Sequence, residues 1–298
     1  MSRCKWCWIL CLGLVIVLAG SVSACSEPSP AAENTPESGE QEDQGTAQTG
    51  ESAEEPVAQA GPDYREFDGI LVFFRPRDVG AYRELLPDVF DMPDTPLVEA
   101  FVMDYYKMDP SFIQPYLEGA IFLLAEYRGQ EAWHCITMPV TTEEARWGGV
   151  YYLGYPKVIG DISLERDGTD YTGIVNLDGV TVMTVSLGTE GHVITEEEEQ
   201  WFQDLTGIPQ LNILRGRIID PLPGIAKETT SLLQWSRTLS ATRLVLKVGK
   251  AELSLQSGAT EKHPGKQYYA FGIQPDEIVL AYYHANKFGF SFGRIERR

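Results

Sequence analysis

One lysine stands out in the sequence because of its neighbours. Lys157 lies within residues 148–160, where every other side chain is apolar or aromatic, and it directly follows Pro156. Burial disfavours the charged form of a lysine, and an uncharged amine is a nucleophile for ketones and aldehydes. In a second interpretation, the aliphatic part of the Lys157 side chain packs on the aromatic rings and its ammonium group lies in water. Because perturbed lysines are rare, the residues alone favour the second interpretation.

Other familiar sites have no support in the sequence. The phosphate-binding pattern GxxxxGK[ST] is absent, and the four histidines are dispersed. His134 and Cys135 are adjacent on a predicted strand, so their side chains face opposite ways and cannot share a metal ion. We therefore expect no metal and no cofactor. The sequence shows no basic stripe, which argues against a nucleic-acid partner.

The segment around the lysine resembles that of a known family. Gly154-Tyr155-Pro156-Lys157 is similar to the segment that carries the Schiff-base lysine in acetoacetate decarboxylases, usually written [GA]-[YF]-P-K-K. Tyr116-Leu117-Glu118-Gly119 falls where that family has an active-site glutamate. The resemblance runs from about Arg65 to the end of the chain at low identity. Further similar stretches, in the family's order, are residues 81–87, 133–138, 212–214, 241–244 and 277–279 with His284.

The resemblance implies an active site. Lys157 would form the Schiff base, and Glu118 would orient the substrate or move protons. The implied substrate-binding residues are Arg65, Phe101, His134 and Tyr155. The implied partner is a small keto acid or another carbonyl compound, and the family suggests a homo-oligomer.

Several positions depart from the family pattern. Val158 stands where a second lysine is usual, and Gly149-Val150-Tyr151 replaces a Gly-Arg-Glu. Phe101 stands where the family has an earlier glutamate, and Arg65 is only a loose counterpart of the family's arginine. Because the second cation is missing, exclusion of water must be the main cause of the activation of Lys157.

Three functions stay open on this reasoning. The first is a Schiff-base decarboxylase of a β-keto acid such as acetoacetate. The second keeps the Schiff base but changes the reaction, for example to an aldolase or a dehydratase. The third is a non-catalytic domain that binds a small apolar ligand, with Lys157 and Glu118 as an ion pair.

The elements that must position these residues are mostly strands. Asp-Gly pairs at Asp167 and Asp178 separate β-favouring runs, which is a strong hairpin signal, and a further turn is expected near Arg128. Two helices are predicted, at residues 79–86 and 195–205, the second opened by a capping box. Other strands are predicted at residues 70–74, 97–105, 212–219, 243–255 and 277–284. We expect a mainly β (β-rich α+β) fold with a few short helices, and the resemblance implies an antiparallel barrel or cone.

The N-terminal part is expected to stay outside this domain. Residues 1–24 have the basic start, apolar run and small-residue exit of a signal peptide, and Cys25 follows as in a bacterial lipobox. An ordinary secretory cleavage and an uncleaved anchor are the alternatives. Residues 26–62 contain nine acidic residues and no basic one, so we expect a disordered tether. The interpretation is an exported domain, residues 63–298, held at a membrane by a lipid on Cys25.

Overall fold

The computed structural model describes residues 59–108, 114–214, 231–239, 245–257 and 270–297. These residues form thirteen strands, three α-helices and one short 3₁₀ helix at Ala270–Gly272. The α-helices are α1 (Val79–Leu85), α2 (Glu143–Leu153) and α3 (Glu196–Gly207). The strands are β1 (Gln59–Pro76), β2 (Val98–Met108), β3 (Tyr116–Tyr127), β4 (Gln130–Val140), β5 (Lys157–Ile159), β6 (Asp161–Asp167), β7 (Asp170–Leu177), β8 (Val180–Gly188), β9 (Gln210–Leu214), β10 (Ser231–Leu239), β11 (Val245–Val248), β12 (Lys250–Leu255) and β13 (Pro275–Arg297).

The strands build two sheets. The larger follows the order β1-β2-β3-β4-β9-β10-β13-β11, and β13 also pairs with β1. Most of its pairings are antiparallel, but β4 pairs in parallel with both β5 and β9. The smaller sheet has the order β12-β8-β7-β6. The prediction of a mainly β fold with a few short helices is confirmed.

The larger sheet has a different apolar core on each of its faces. The intersheet core lies against the smaller sheet and includes Val102, Ile121, Val175 and Val185. The inner core lies on the opposite face, where α2 and α3 cover it. It includes Phe73, Phe101, Phe122, Trp133, Tyr155 and Phe202.

Strand β3 shows how the sequence sorts side chains between the two cores. Successive side chains of a strand point to opposite faces. Ile121 accordingly enters the intersheet core, whereas Tyr116 and Phe122 enter the inner core. Glu118 lies on the same side of β3 as Tyr116 and Phe122, so the larger sheet presents its carboxylate to the inner core.

The predicted turns form the hairpins expected of them. Arg128 and Gly129, between β3 and β4, both have positive φ, of 55° and 77°. Asp178 and Gly179, between β7 and β8, have φ of 50° and 76°. Two successive positive φ values define the type I′ turn, whose twist matches that of the flanking strands. Gly168, with φ of 63°, sits in the turn between β6 and β7.

The predicted helices form where the sequence places them. The capping box of α3 is present. The Thr195 side chain accepts a hydrogen bond from the backbone N–H of Glu198, and the Glu198 side chain accepts one from the backbone N–H of Thr195. Phe202 and Leu205 of this helix are buried, and Trp201 is half-buried.

Three elements differ from the sequence prediction. Residues 143–153 form helix α2, which the sequence analysis did not predict. The single strand predicted for residues 243–255 is two strands, because the chain changes sheet at Gly249. A side chain there would meet the Gly188 carbonyl oxygen at 2.2 Å, so only glycine fits. Strand β1 begins at Gln59, well before the strand predicted at residues 70–74, because its earlier residues also pair with β13.

The predictions for the signal peptide, Cys25 and most of the tether lie outside the described residues, as do those for residues 215–219. No helix in the described part of the chain is both long enough and apolar enough to cross a bilayer.

Candidate active site

The fold brings Lys157 and Glu118 together inside the inner core. Nζ of Lys157 donates a hydrogen bond to Oε2 of Glu118 at 2.7 Å. Lys157 is 6% exposed and Glu118 is 4% exposed, so bulk water has almost no access to the pair. Glu118 comes from the middle of the larger sheet, whereas Lys157 is the first residue of β5 and reaches it across β4. A carboxylate in hydrogen-bond contact can take the proton that an ammonium must lose before it attacks a carbonyl group.

The turn that carries Lys157 is built by the end of α2. Helix α2 begins at the N-cap Thr142 and ends at Gly154, which adopts the left-handed conformation with φ of 69°. The backbone N–H of Tyr155 then donates back to the Gly149 carbonyl at 3.0 Å. The N–H of Met138 in β4 donates to the Pro156 carbonyl at 3.3 Å. These bonds fix the direction in which the chain enters β5 and therefore the direction of the lysine side chain.

Gly149 provides the space in which the lysine lies. A Cβ atom at this position would stand 2.4 Å from both Cδ and Cε of Lys157 and 3.1 Å from its Nζ. Contacts this short do not occur between real carbon atoms, so the absence of a side chain at Gly149 is what lets the lysine pass along α2. At the neighbouring Gly148, an added Cβ would meet nothing within 4 Å.

Aromatic rings surround the pair. Nζ of Lys157 lies 5.1 Å from the ring centroid of Tyr116 and 5.6 Å from that of Tyr155. The Tyr105 hydroxyl donates to the other carboxylate oxygen, Oε1 of Glu118, at 3.4 Å. Tyr155 also packs edge-to-face on Phe122. The rings exclude water, which strengthens the electrostatic interactions in the site.

The charges of Lys157 and Glu118 act on a buried thiol, and so does a second buried carboxylate. Burial raises the pKa of the Cys135 thiol well above its usual value; Glu118 raises it further, Lys157 lowers it, and Glu99 adds to the increase. The thiol therefore stays protonated and does not compete with the lysine as a nucleophile. Glu99 is 1% exposed and lies two residues before Phe101 on the same face of β2.

Glu99 was not predicted from the sequence. The signal that could have revealed it is a single glutamate at an inward position of an otherwise apolar strand. Strand alternation places it on the face that carries Phe101 and Met103, both of which belong to the inner core.

The structure brings two of the predicted substrate-binding residues into the inner core. Phe101 is 2% exposed and stacks on Phe122, with ring centroids 5.8 Å apart. Tyr155 lies beside the lysine, as described above. Val158, at the family's second-lysine position, packs against the intersheet core instead. A longer side chain at 158 would therefore extend away from Lys157, because neighbouring strand residues face opposite ways.

The other predicted site residues are not brought to the pair. His134 lies on the opposite face of β4 from Cys135, where its Nδ1 is 2.9 Å from the Leu211 carbonyl oxygen and its ring contacts Phe90. Phe90 belongs to the intersheet core, so His134 faces away from the lysine. Arg65 lies in β1, but its side chain is outside the described part of the chain, as is Cys25. Among the described residues, no three His, Cys, Asp or Glu side chains are grouped closely enough to hold a metal ion.

The fold and the sequence both have known relatives. The sequence pattern of the acetoacetate decarboxylase (ADC) family matches residues 48–298. The chain belongs to the acetoacetate decarboxylase family. Decarboxylase DEC1 of Cochliobolus heterostrophus is 28% identical to it over 115 residues, which are 39% of this chain and 44% of that protein. The chain therefore aligns with less than half the length of that curated relative.

Solved structures of acetoacetate decarboxylases and related enzymes share the fold. The Legionella pneumophila acetoacetate decarboxylase superposes with a TM-score of 0.63 at 15% identity, covering 80% of this chain and 89% of that one. The enduracididine biosynthesis enzyme MppR, complexed with the condensation product of pyruvate and imidazole 4-carboxaldehyde, gives 0.54 at 16% identity, covering 80% and 90%. Membership of the acetoacetate decarboxylase family supports an enzymatic function for this protein.

Proposed function

We propose that this protein is a Schiff-base decarboxylase of a β-keto acid, with Lys157 as the nucleophile and Glu118 as the group that moves its proton. The observation that carries the proposal is the 2.7 Å contact between Nζ of Lys157 and Oε2 of Glu118 inside an aromatic core. Family membership supports the reaction type, and the burial of both side chains supports the mechanism.

The chemistry proceeds in balanced steps. Glu118 takes a proton from Nζ, and the free amine attacks the ketone of the substrate to give a carbinolamine. Loss of water, assisted by the same carboxyl group as an acid, leaves a cationic iminium on Lys157. The substrate carboxylate then leaves as carbon dioxide, and its bonding electrons move into the iminium to form a neutral enamine. Protonation of the enamine carbon and hydrolysis release the ketone and the lysine.

The aromatic surround contributes through its effect on charge. The substrate carboxylate is poorly solvated in a site lined by Tyr116, Tyr155 and Phe122, whereas the charge of the transition state is spread over more atoms. Removing water therefore favours loss of carbon dioxide. The rings also keep water from the iminium before decarboxylation.

The test is release of carbon dioxide from acetoacetate by the purified protein. We expect Lys157→Met to abolish the release. Lys247→Met is the matched control, because Lys247 also contacts a tyrosine, with its Nζ 2.6 Å from the Tyr171 hydroxyl, but on another part of the fold. Equal release by the wild type and Lys157→Met would contradict the proposal, as would release lost equally in both variants.

A second candidate function keeps Lys157 and changes the bond that is made or broken. A pyruvate iminium on Lys157 that loses a methyl proton to Glu118, and keeps its carboxylate, gives an enamine whose carbon adds to an aldehyde in an aldol-type condensation. The fold relative MppR supports this candidate, because it was obtained with a condensation product of pyruvate and an aldehyde. If acetoacetate yields no carbon dioxide but pyruvate and an aldehyde yield a condensation product that requires Lys157, this second function is the correct one.

We also propose that the enzyme is exported and held at a bacterial membrane through a lipid on Cys25. The support is the sequence pattern of residues 1–25 and the acidic composition of the segment after them. The test is fractionation of expressing cells. Cys25→Ser should move the protein from the membrane fraction to the soluble fraction, whereas Cys11→Ser, within the predicted signal peptide, should not. Soluble wild-type protein would contradict this proposal.

A further inference from the structure

Two side chains of β9 hold the turn that carries Lys157. Nδ2 of Asn212 donates to the carbonyl oxygen of Leu153, the last residue of α2, at 2.9 Å. Oε1 of Gln210 accepts a hydrogen bond from the Tyr155 hydroxyl at 2.5 Å. Strand β9 is therefore attached to the segment between α2 and the lysine at two successive points.

One side-chain atom of Asn212 has no hydrogen-bond partner in the described part of the chain. Its side chain is completely buried, and its Oδ1 has no hydrogen-bond partner among the described residues. The amide orientation is fixed, because the Leu153 carbonyl can only accept and so requires the NH₂ group of Asn212. The remaining atom is therefore an acceptor. A buried acceptor without a donor is costly and rare in folded proteins, which makes this oxygen a candidate contact for a ligand.

Strand alternation places Asn212 on the side of the larger sheet that carries the reactive pair. Leu211 and Ile213, on either side of Asn212 in β9, belong to the intersheet core. Because successive side chains of a strand point to opposite faces, Asn212 faces the inner core. Leu153, to which it donates, also belongs to the inner core. Asn212 therefore faces the core that contains Lys157.

We propose that Asn212 determines substrate specificity by accepting, through Oδ1, a hydrogen bond from a hydroxyl group of the substrate. This inference rests on the proposed Schiff-base function and deepens it. The substrate class is a keto acid that carries a hydroxyl group on its carbon chain, with the ketone at Lys157 and the hydroxyl at Asn212. A site that supplies a buried acceptor discriminates strongly against an analogue that lacks the donor, because the acceptor is then left unpaired.

The experiment compares two ketones that differ by one hydroxyl group. Acetone and hydroxyacetone are incubated separately with the full-length protein and sodium borohydride, and the reduced adduct on Lys157 is quantified by peptide mass mapping. Each rate is divided by the rate at which the same ketone is reductively coupled to free lysine, which removes the intrinsic difference in reactivity. We expect a normalised preference for hydroxyacetone of at least about tenfold.

Two variants assign the preference to Asn212. Asn212→Leu should bring the ratio to within about twofold of unity. The readout is the ratio and not the rate, because this variant also loses the bond to Leu153. Thr137→Val is the matched control, since Thr137 Oγ1 is also buried without a hydrogen-bond partner in the described part of the chain. Thr137 pairs with Ile121 and so faces the intersheet core; its variant should keep the wild-type ratio.

The outcomes separate the two proposals. Lys157 adducts with both ketones at a normalised ratio near unity would overturn the role of Asn212 and leave the Schiff-base function standing. A preference that survives in Asn212→Leu would also overturn it. No adduct with either ketone would overturn the proposed function and this inference together. A wild-type ratio near unity overturns the role of Asn212 whether or not Asn212→Leu folds.

Discussion

Replacing Gly149 by alanine should lower the reactivity of Lys157 without lowering the stability of the protein. The added Cβ would lie 2.4 Å from Cδ and Cε of Lys157, whereas carbon atoms in contact are normally about 3.5–4.0 Å apart. The lysine side chain must therefore move by about 1 Å or more. Because the atoms that clash belong to the flexible end of a side chain, the backbone of α2 need not move.

The displacement falls on the atoms that react. Nζ of Lys157 is 2.7 Å from Oε2 of Glu118, and a shift of about 1 Å would take it beyond hydrogen-bond distance. Misplacing a reacting group by this amount costs about a hundredfold in rate. We therefore expect Gly149→Ala to lower the rate of adduct formation on Lys157 by about 100-fold.

Gly149→Ala should leave the stability of the protein nearly unchanged or raise it slightly. Alanine is favoured over glycine inside a helix by about 0.5–1 kcal/mol, and this gain offsets the cost of moving the lysine. Gly148→Ala is the matched control on the same helix, because its Cβ meets nothing within 4 Å. It should raise Tm by about 2–4 °C and leave adduct formation unchanged.

The assay is borohydride trapping of acetone on Lys157, run beside thermal unfolding for both variants. A Gly149→Ala protein that folds and traps acetone at the wild-type rate would refute the reasoning. So would an equal loss of trapping in Gly148→Ala, since that would assign the effect to the helix and not to the space beside the lysine.

Three further predictions follow from the structure. Glu118→Gln leaves Lys157 without a carboxylate to take its proton, and trapping at pH 7 should fall by about 10²- to 10⁴-fold; an unchanged rate would remove Glu118 from the mechanism. The buried Cys135 thiol, whose pKa is raised by burial and by Glu118, should resist alkylation at pH 8 in the native protein and react only after unfolding, as read by mass mapping. Burial alone would raise the pKa of Glu198, but hydrogen bonds, chiefly from the Thr195 backbone, lower it overall. A carboxyl group whose pKa is lowered by folding stabilises the protein above its unfolded-state pKa, and this stabilisation is lost as the pH falls. Glu198→Gln should therefore destabilise the protein by about 1 kcal/mol at pH 7 and progressively less in acid, as measured by urea unfolding.

The sequence was sufficient for the features that depend on local chemistry. The turns at Arg128 and Asp178 follow from residues that tolerate positive φ, and the capping box of α3 follows from the spacing of Thr195 and Glu198. Lys157 stood out because of its apolar neighbours in the chain, but the residues alone favoured an ammonium group in water, whereas Lys157 is buried and its Nζ binds Glu118. Glu118 was found through the family resemblance, since a single glutamate before a strand carries no signal of its own.

The features that were missed depend on contacts between distant residues. Helix α2 contains Gly148 and Gly149, whose low helix propensity hides it, although Thr142 and Gly154 supply ordinary start and stop signals. Gly149 is required by Lys157, which is a tertiary constraint. Asn212 is one of many amides in the chain, and its importance appears only when β9 packs beside the end of α2.

His134 shows the limit of carrying site residues over from a resemblance. The residue matches a family stretch, yet alternation along β4 sends its side chain to the intersheet core, next to Phe90. The adjacent Cys135 takes the inward position instead. A shift of one residue along a strand exchanges the two faces, and low identity does not fix alignment to that accuracy.

The most direct test of the account is borohydride reduction of the wild-type protein in the presence of acetone, followed by mass mapping of every lysine. The account predicts an isopropyl group on Lys157 at near-neutral pH, with no comparable modification of Lys247 or other lysines, and no adduct in Lys157→Met. A wild-type protein whose Lys157 stays unmodified, or is modified only as fast as its exposed lysines, would contradict it.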